Sequence, residues 1–253
     1  MGAGSGQTSV ALGQPRLYSY MQLLDALWTM LRLALLFAFM IYLLMQVRRP
    51  SKWLGRPFVW LMNSSHSKLT DWGLEHTKID QNFTILDVGC GGGRTIQKLA
   101  ALACKGKIYG VDYAEGSVAM SRKKNAHSIK EGRVKIRQAS VSQLPFEDNK
   151  FNLATAIETQ YYWPDLPNDM QEILRVLKPG GTLLIIAEVY RTNSHNVLGP
   201  VMKLLGSSSL SADDQRALFS QAGFQDVEIF EHKNGWICAS GKKPGASPAS
   251  ATN

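Results

Sequence analysis

The sequence predicts an α/β fold: a doubly wound, seven-stranded, mostly parallel sheet, preceded by an N-terminal hydrophobic helix. From residue 84 to residue 222, short apolar runs alternate with segments whose apolar residues recur at helical spacing. Such alternation builds a parallel sheet with helices on both faces. Two further strand-like runs flank the turn 232–235, so the last strand is expected to be antiparallel.

The predicted elements follow one another without an internal repeat. Apolar residues recur at helical spacing over 96–103, 117–126, 170–177 and 213–222, which predicts four helices. The run Lys178-Pro179-Gly180-Gly181 ends the third helix, and Gly223 is the predicted C-cap of the fourth. The predicted strands are 84–88, 107–111, 134–137, 153–157, 182–187, 227–231 and 236–240.

The hydrophobic helix is predicted by the run 28–45, which contains one charged residue, Arg32. As a helix this run spans about 27 Å, close to the ~30 Å of a bilayer core. Basic residues cluster after it, so the positive-inside rule predicts a single-pass anchor with the α/β domain in the cytoplasm. A helix lying in the membrane interface, on a peripheral cytoplasmic protein, is the alternative. The predicted divisions are 1–22, disordered or flexible; 23–56, hydrophobic helix with a basic flank; 57–242, the α/β domain; and 243–253, disordered tail.

Charge and cysteine usage exclude several classes of protein. The 253 residues carry a net charge of +8, and residues 1–56 hold six basic side chains against one acidic. In the remaining chain the basic and acidic side chains are nearly equal in number, which disfavours nucleic-acid binding. The three cysteines, at 90, 104 and 238, have neither the spacing nor the histidine partners of a zinc site. We therefore expect no metal, and a reducing compartment.

A glycine-rich turn, 89–93, follows the first predicted strand, where the backbone and a helix N-terminus suit a carboxylate or phosphate. Arg94 stands where the dinucleotide fingerprint has its third glycine, which disfavours NAD. Asp87 precedes the turn and suits an ammonium group. Asp112 ends the second strand and suits the hydroxyls of a ribose. Together these residues predict a ligand in which an amino acid is joined to a nucleoside.

Five segments in order, ILDVGCGGG (85–93), IYGVDY (108–113), SQLPF (142–146), FNLATAIETQYYWPD (151–165) and EILRVLKPGGTLLI (172–185), resemble the class I S-adenosylmethionine-dependent methyltransferases of the type-11, quinone-methyltransferase-like subfamily. The resemblance implies a Rossmann-like methyltransferase fold and S-adenosyl-L-methionine as cofactor. The cofactor-binding residues that it implies are Asp87, Gly89, Cys90, Gly91, Asp112, Tyr113, Ser140, Val141 and Ile157.

The sequence says less about the residues that would bind the methyl acceptor. Tyr161, Tyr162 and Trp163 follow the fourth strand and are candidates for a substrate wall, or they cover the end of the sheet. The segment 62–73 is either a lid over the cofactor or a capping helix. A general base is needed only when the nucleophile carries a proton. Glu158 and His66 are the candidate bases, with His76 a further one by its chemistry.

The sequence thus predicts a methyltransferase that moves a methyl group to a small, lipid-like acceptor by in-line displacement. A membrane anchor at 28–45 makes quinones, prenols and lipids attractive acceptors. A non-catalytic, membrane-associated cofactor-binding protein with the same fold is the alternative. An NAD-dependent oxidoreductase is a further alternative, disfavoured by Arg94.

Overall fold

The computed structural model describes residues 14–48, 67–188 and 210–245. The chain divides into two units, Met1–Leu44 and Met45–Asn253. The first unit contains most of helix α1, Gln14–Arg48, and the second contains the sheet and its covering helices.

From Leu33 to Tyr42, helix α1 is apolar around its whole circumference. Its stretch Tyr20–Tyr42 is long and apolar enough to cross a membrane, and its side chains are exposed throughout. The helix begins at Gln14, so residues 14–22 are helical although the sequence predicted disorder for 1–22. Residues 1–13 and 49–56, which complete the predicted N-terminal and basic segments, lie outside the described residues.

Seven strands form one sheet in the order β3-β2-β1-β4-β5-β7-β6. The strands from β1 to β5 pair in parallel, whereas β7 runs antiparallel between β5 and β6. The predicted seven-stranded, mostly parallel sheet with an antiparallel last strand is confirmed. The strands are β1 Thr84–Val88, β2 Lys107–Asp112, β3 Val134–Gln138, β4 Phe151–Ile157, β5 Leu177–Glu188, β6 Gln225–His232 and β7 Trp236–Lys242.

Helices cover the sheet because alternate strand residues point to opposite faces. Leu86 belongs to one core cluster, with Met170 and Phe219 from two covering helices, whereas its neighbour Ile85 belongs to the other, with Ile96. Burying both faces explains why the central strands are nearly continuous apolar runs. The remaining helices are α2 Ser67–Leu74, α3 Arg94–Leu102, α4 Glu115–Lys124, α5 Ala126–Lys130, α6 Leu166–Val176 and α7 Ala212–Gln221.

Helix α2 lies against β5 and β7 as part of the core. Leu69 and Leu74 are buried, and Gly73 packs so closely that a Cβ there would lie 2.4 Å from the side chain of Ile186. Lys98 of α3 donates to the Ser67 carbonyl and hydroxyl, each at 3.1 Å. For residues 67–73 this packing corresponds to the capping helix rather than the lid, while 62–66 lie outside the described residues.

Two elements differ locally from the sequence prediction. The single helix predicted at 117–126 is two helices, separated at Asn125, whose buried amide donates to the Gly93 and Ser121 carbonyls at 3.0 and 2.9 Å. Strand β5 begins at Leu177 rather than residue 182, with a register shift against β4. The first part of β5 is bonded to Lys243, whose backbone N–H donates to the Gly181 carbonyl at 2.8 Å. Ordered structure therefore continues past the predicted boundary at 242.

Candidate active site

The glycine-rich turn lies where the carboxyl ends of β1, β2 and β4 meet. The backbone N–H groups of Gly89 and Cys90 both donate to the Val111 carbonyl, at 2.8 and 2.9 Å, which ties the turn to the end of β2. Helix α3 starts immediately after the turn without a side-chain cap. Its free N–H groups therefore suit an anionic group such as a carboxylate.

Gly89 and Gly91 both have positive φ, at 74° and 50°, which favours glycine. Their surroundings differ. A Cβ at Gly89 would lie 2.0 Å from Oγ1 of Thr159, whereas a Cβ at Gly91 would meet no atom within 4 Å. Gly89 thus allows the loop after β4 to approach, and Gly91 leaves an open space beside the backbone where a ligand can approach.

Asp112 holds the turn from the neighbouring strand. Its Oδ2 accepts from Gly91 N and its Oδ1 from Ala114 N, both at 2.9 Å. Burial raises the pKa of this carboxyl, while the two backbone hydrogen bonds act in the opposite direction. Each oxygen keeps a further acceptor position, so Asp112 can still accept from a pair of hydroxyls.

Asp87 is buried at the end of β1 with one oxygen unpaired. Thr155 Oγ1 donates to Oδ1 at 2.8 Å, while Oδ2 has no hydrogen-bond partner among the described residues. Burial raises the pKa of Asp87 to about 7. The nearby Asp112 charge also raises this pKa, whereas the hydrogen bond from Thr155 lowers it. An unpaired buried carboxylate oxygen is costly, and an ammonium group is the ligand that would satisfy it.

Glu158 follows β4 in a left-handed backbone conformation, with φ 55°. Its Oε1 accepts from Glu188 N at 2.5 Å and lies 3.2 Å from the Tyr161 hydroxyl. Burial of the carboxyl raises its pKa to about 8, and the Glu188 charge adds to the shift. A non-glycine residue in this conformation is strained and is frequent at functional sites.

The remaining predicted cofactor residues occupy different environments. Cys90 is buried, its Sγ–H lies 3.8 Å from Ser121 Oγ, and burial raises the pKa of the thiol well above its usual range. This is a structural thiol rather than a nucleophile. Tyr113 and Ser140 are exposed on the loops after β2 and β3, where their surfaces are accessible to a ligand. Val141 is buried in the core, and Ile157 is half-buried at the end of β4.

The aromatic residues after β4 divide into two groups. Tyr161 is buried against Ala187 and Ile237, and its hydroxyl lies 2.8 Å from the Glu188 carbonyl, so its ring covers the end of the sheet. Tyr162 and Trp163 are half-buried and keep accessible surface. They remain candidates for the wall of an acceptor site, whereas Tyr161 has little surface left for one.

The candidate histidines, His66 and His76, supply no base to this site among the described residues. His66 lies outside the described residues. His76 stacks on Phe230 with ring centroids 4.1 Å apart and meets Trp72 edge to face. These partners belong to β6 and α2. Within the described part of the chain, no group of three or more His, Cys, Asp or Glu side chains is arranged to hold a metal ion.

Several contacts of the site escaped sequence reasoning. Thr155 and Thr159 lie within the segment that carried the family resemblance, but their contacts with Asp87 and Gly89 join residues about 70 positions apart. Asn125 supports Gly93 from the break between α4 and α5. A polar residue in an otherwise apolar strand, Thr155, is the one signal that could have been noticed.

The residues present fit S-adenosylmethionine. The unpaired Asp87 oxygen suits its ammonium group, the uncapped α3 N-terminus suits its carboxylate, and the open side of Gly91 admits a ligand against the backbone. Asp112 has acceptor positions left for ribose hydroxyls. The roles that the sequence assigned to Asp87 and Asp112 stay predictions.

Comparison with known proteins identifies the same class. Residues 86–185 match the family model of a methyltransferase domain. The chain is 33% identical over 147 residues to a sterol 4-C-methyltransferase of Caenorhabditis elegans, covering 58% of this chain and 42% of that protein. It is 29% identical over 136 residues to a 2-phytyl-1,4-naphthoquinone methyltransferase of Trichormus variabilis, covering 53% and 59%. The matched region thus spans about half the length of these curated relatives.

The fold is also that of a solved structure described as a SAM-dependent methyltransferase from Aquifex aeolicus. The TM-score is 0.63 at 19% sequence identity, covering 74% of this chain and 97% of the other. The matched family model begins at Leu86 in β1 and ends at Ile185 in β5, so it contains the glycine turn and both aspartates. Residues 86–185 therefore match a methyltransferase domain, within a fold that is shared with a solved SAM-dependent methyltransferase.

Proposed function

We propose that this chain transfers the methyl group of S-adenosylmethionine to a small, lipophilic acceptor. The observation that carries the proposal is the unpaired, buried Oδ2 of Asp87 beside the open face of Gly91 and the carboxylate of Asp112. A buried carboxylate with an unused acceptor is stabilised by a cation, and the donor carries an ammonium group.

Each residue of the donor side has a distinct role in this proposal. Asp87 binds the ammonium group, the N-terminus of α3 binds the carboxylate, and Asp112 accepts from the ribose hydroxyls. When bound, S-adenosylmethionine supplies an electrophilic methyl group on a sulfonium. The residues of this chain then have to orient the two reactants and exclude water, which are the main requirements of an in-line displacement.

Glu158 is the residue that we assign to the acceptor side. It directly follows β4, Thr159 beside it contacts Gly89, and Tyr162 and Trp163 come next in the chain. A carboxyl with a pKa near 8 can accept a proton from a hydroxyl or an acidic carbon at physiological pH. Its position, held by Glu188 N and the Tyr161 hydroxyl, is fixed by the backbone of β5.

A lipophilic acceptor is supported by two features. The relatives named above act, by their names, on a sterol and on a phytylated naphthoquinone. Helix α1 offers apolar side chains on every side along Tyr20–Tyr42, which suits residence in a bilayer. We propose a single-pass anchor, with the catalytic domain on the cytoplasmic side because the basic residues Arg48, Arg49, Lys52 and Arg56 follow the helix.

Replacing Asp112 by alanine should weaken binding of S-adenosylhomocysteine by about 2 kcal/mol, roughly 30-fold, because a charged acceptor is lost. Isothermal titration calorimetry on the full chain in neutral detergent measures this. The Asp112→Asn variant, which keeps an acceptor for Gly91 N, should lose less affinity.

The wild type should also move labelled methyl from the donor into a membrane lipid extract. Donor binding without any methylated product would instead indicate a non-catalytic binding protein.

Binding should also depend on pH through Asp87. Below pH 7 its carboxyl is protonated and cannot pair with an ammonium group, while above pH 7 it is ionised. Affinity for S-adenosylhomocysteine should therefore increase about tenfold from pH 6 to pH 8, as the ionised fraction rises. In the Asp87→Asn variant the affinity should be weak and nearly independent of pH. A wild-type affinity that is flat across this range would remove Asp87 from the ammonium site.

Replacing Glu158 by glutamine should lower kcat by about 10²-fold or more if the carboxylate removes a proton in the transition state. Affinity for S-adenosylhomocysteine should change little. The wild-type rate should rise as pH approaches 8, where the carboxyl ionises, and the variant should lack this rise. Glu188→Gln is the matched control: its backbone N–H still holds Glu158, and the loss of its charge should lower the pKa of Glu158 without abolishing turnover. If both variants retain wild-type turnover, Glu158 is not the base.

The membrane proposal predicts that the full chain stays in the membrane pellet after a carbonate wash. A variant lacking residues 20–42 should move to the soluble fraction, because it has lost the apolar helix. Extraction of the intact chain by carbonate would indicate that the helix does not span the bilayer and would favour an interfacial position.

A further inference from the structure

A concave surface with a volume of about 660 Å³ lies between α4, α5 and the edge strand β3. None of its lining residues belongs to the donor site described above. Four of them are basic and exposed, namely Arg122, Lys130, Lys135 and Arg137, and none is acidic. We name this surface the basic groove, with these four residues as its rim.

The rim charges are not neutralised by the described part of the chain. Other basic residues are paired, as Arg175 is with Asp148 at 2.6 Å. By contrast, Lys130 and Lys135 form no ion pair with any described residue. The guanidinium of Arg122 donates to the Ile136 carbonyl and that of Arg137 to the Pro145 carbonyl. Carbonyls are neutral acceptors, so all four positive charges remain available to an anionic partner.

Apolar side chains lie between these charges. Ala126 is exposed and Ile129 half-buried at the floor of the groove, next to Val134 and Ile136 of β3. Charged residues on an edge strand are sufficient to discourage strand pairing between molecules. That role requires neither a concave surface nor accessible apolar groups beside the charges.

We propose that the basic groove binds an acidic segment of another protein, with apolar side chains between its carboxylates. The charge of the groove requires an anionic occupant. The stretches outside the described residues, 1–13, 49–66, 189–209 and 246–253, contain no Asp or Glu. None of these stretches therefore supplies an acidic occupant.

The shape and lining of the groove favour a protein segment over other polyanions. An acidic peptide can place apolar side chains on this floor between its carboxylates, which a phosphate headgroup alone cannot do. Nucleic-acid grooves of the single-strand type present aromatic side chains for base stacking, and the lining of this groove contains none. Apolar floor and charged rim match a peptide that alternates both kinds of side chain.

Recognition takes place through side chains. The outward carbonyl of Ile136, in the middle of β3, is already occupied by Arg122 Nε and Nη2 at 3.2 and 2.9 Å. An added strand would have to displace this guanidinium to pair with the edge. The occupant is therefore bound by its carboxylates and apolar groups rather than by a continuous backbone ladder.

The test uses the full chain in neutral detergent and a labelled, acetylated peptide, Glu-Glu-Leu-Glu-Glu-Leu-Glu-Glu, with fluorescence anisotropy as the measurement. The peptide should bind, and replacing its glutamates by glutamine or its leucines by serine should weaken binding. The double variant Lys130→Glu with Lys135→Glu should weaken it about tenfold or more, because two attractions become repulsions. Raising the salt concentration should weaken binding by the wild type.

The matched control is Lys68→Glu with Lys233→Glu, which changes the net charge equally at two exposed positions outside the groove. This control should bind the peptide like the wild type. Thermal unfolding and methyl transfer should be unchanged in both double variants, so a loss of binding reports on the groove. The proposal is overturned if the peptide does not bind, if both double variants bind it equally, or if a DNA duplex is preferred to the peptide.

Discussion

The site depends on the two hydrogen bonds that the carboxylate of Asp112 accepts. This carboxylate joins Gly91 of the glycine turn to Ala114 at the start of α4, with 2.9 Å hydrogen bonds on both oxygens. The loops that follow the neighbouring strands β1 and β2 are thereby held in a fixed arrangement. Because the carboxylate is buried, these N–H groups also supply the hydrogen bonds that let a charge exist there. The same side chain thus fixes the loop and remains able to accept from a ligand.

A second carboxylate close by makes the donor site electrostatically unfavourable without a cation. Burial and the charge of Asp112 both disfavour ionisation of Asp87, and the hydrogen bond from Thr155 compensates only in part. A ligand ammonium group relieves the cost of that buried charge, so binding and ionisation are coupled. A buried carboxylate of this kind favours cationic ligands, because a neutral or anionic ligand gains nothing from Asp87.

The sequence predicted those parts of the molecule that depend on local pattern. Strand positions, the hairpin and both aspartates followed from apolar runs and from the neighbours of the glycine turn. Contacts between distant residues were not accessible in this way, since nothing near Gly89 shows that Thr159 will lie against it. The break at Asn125 was missed for the same reason, because its amide bonds to Gly93, 32 positions earlier. Periodicity alone continued the helix through it.

The donor and acceptor sides of the site differ in how strongly the fold determines them. The donor side consists of backbone N–H groups and two carboxylates at strand ends, so it depends on the sheet, on the glycine turn and on Asp87 and Asp112. The acceptor side depends on the connection after β4, where Glu158 takes a left-handed conformation and bonds to Glu188 N of the adjacent strand. Changes in this connection alter the acceptor side without disturbing Asp87 or Asp112. One sheet can therefore keep its methyl donor while relatives act on acceptors as different as a sterol and a naphthoquinone.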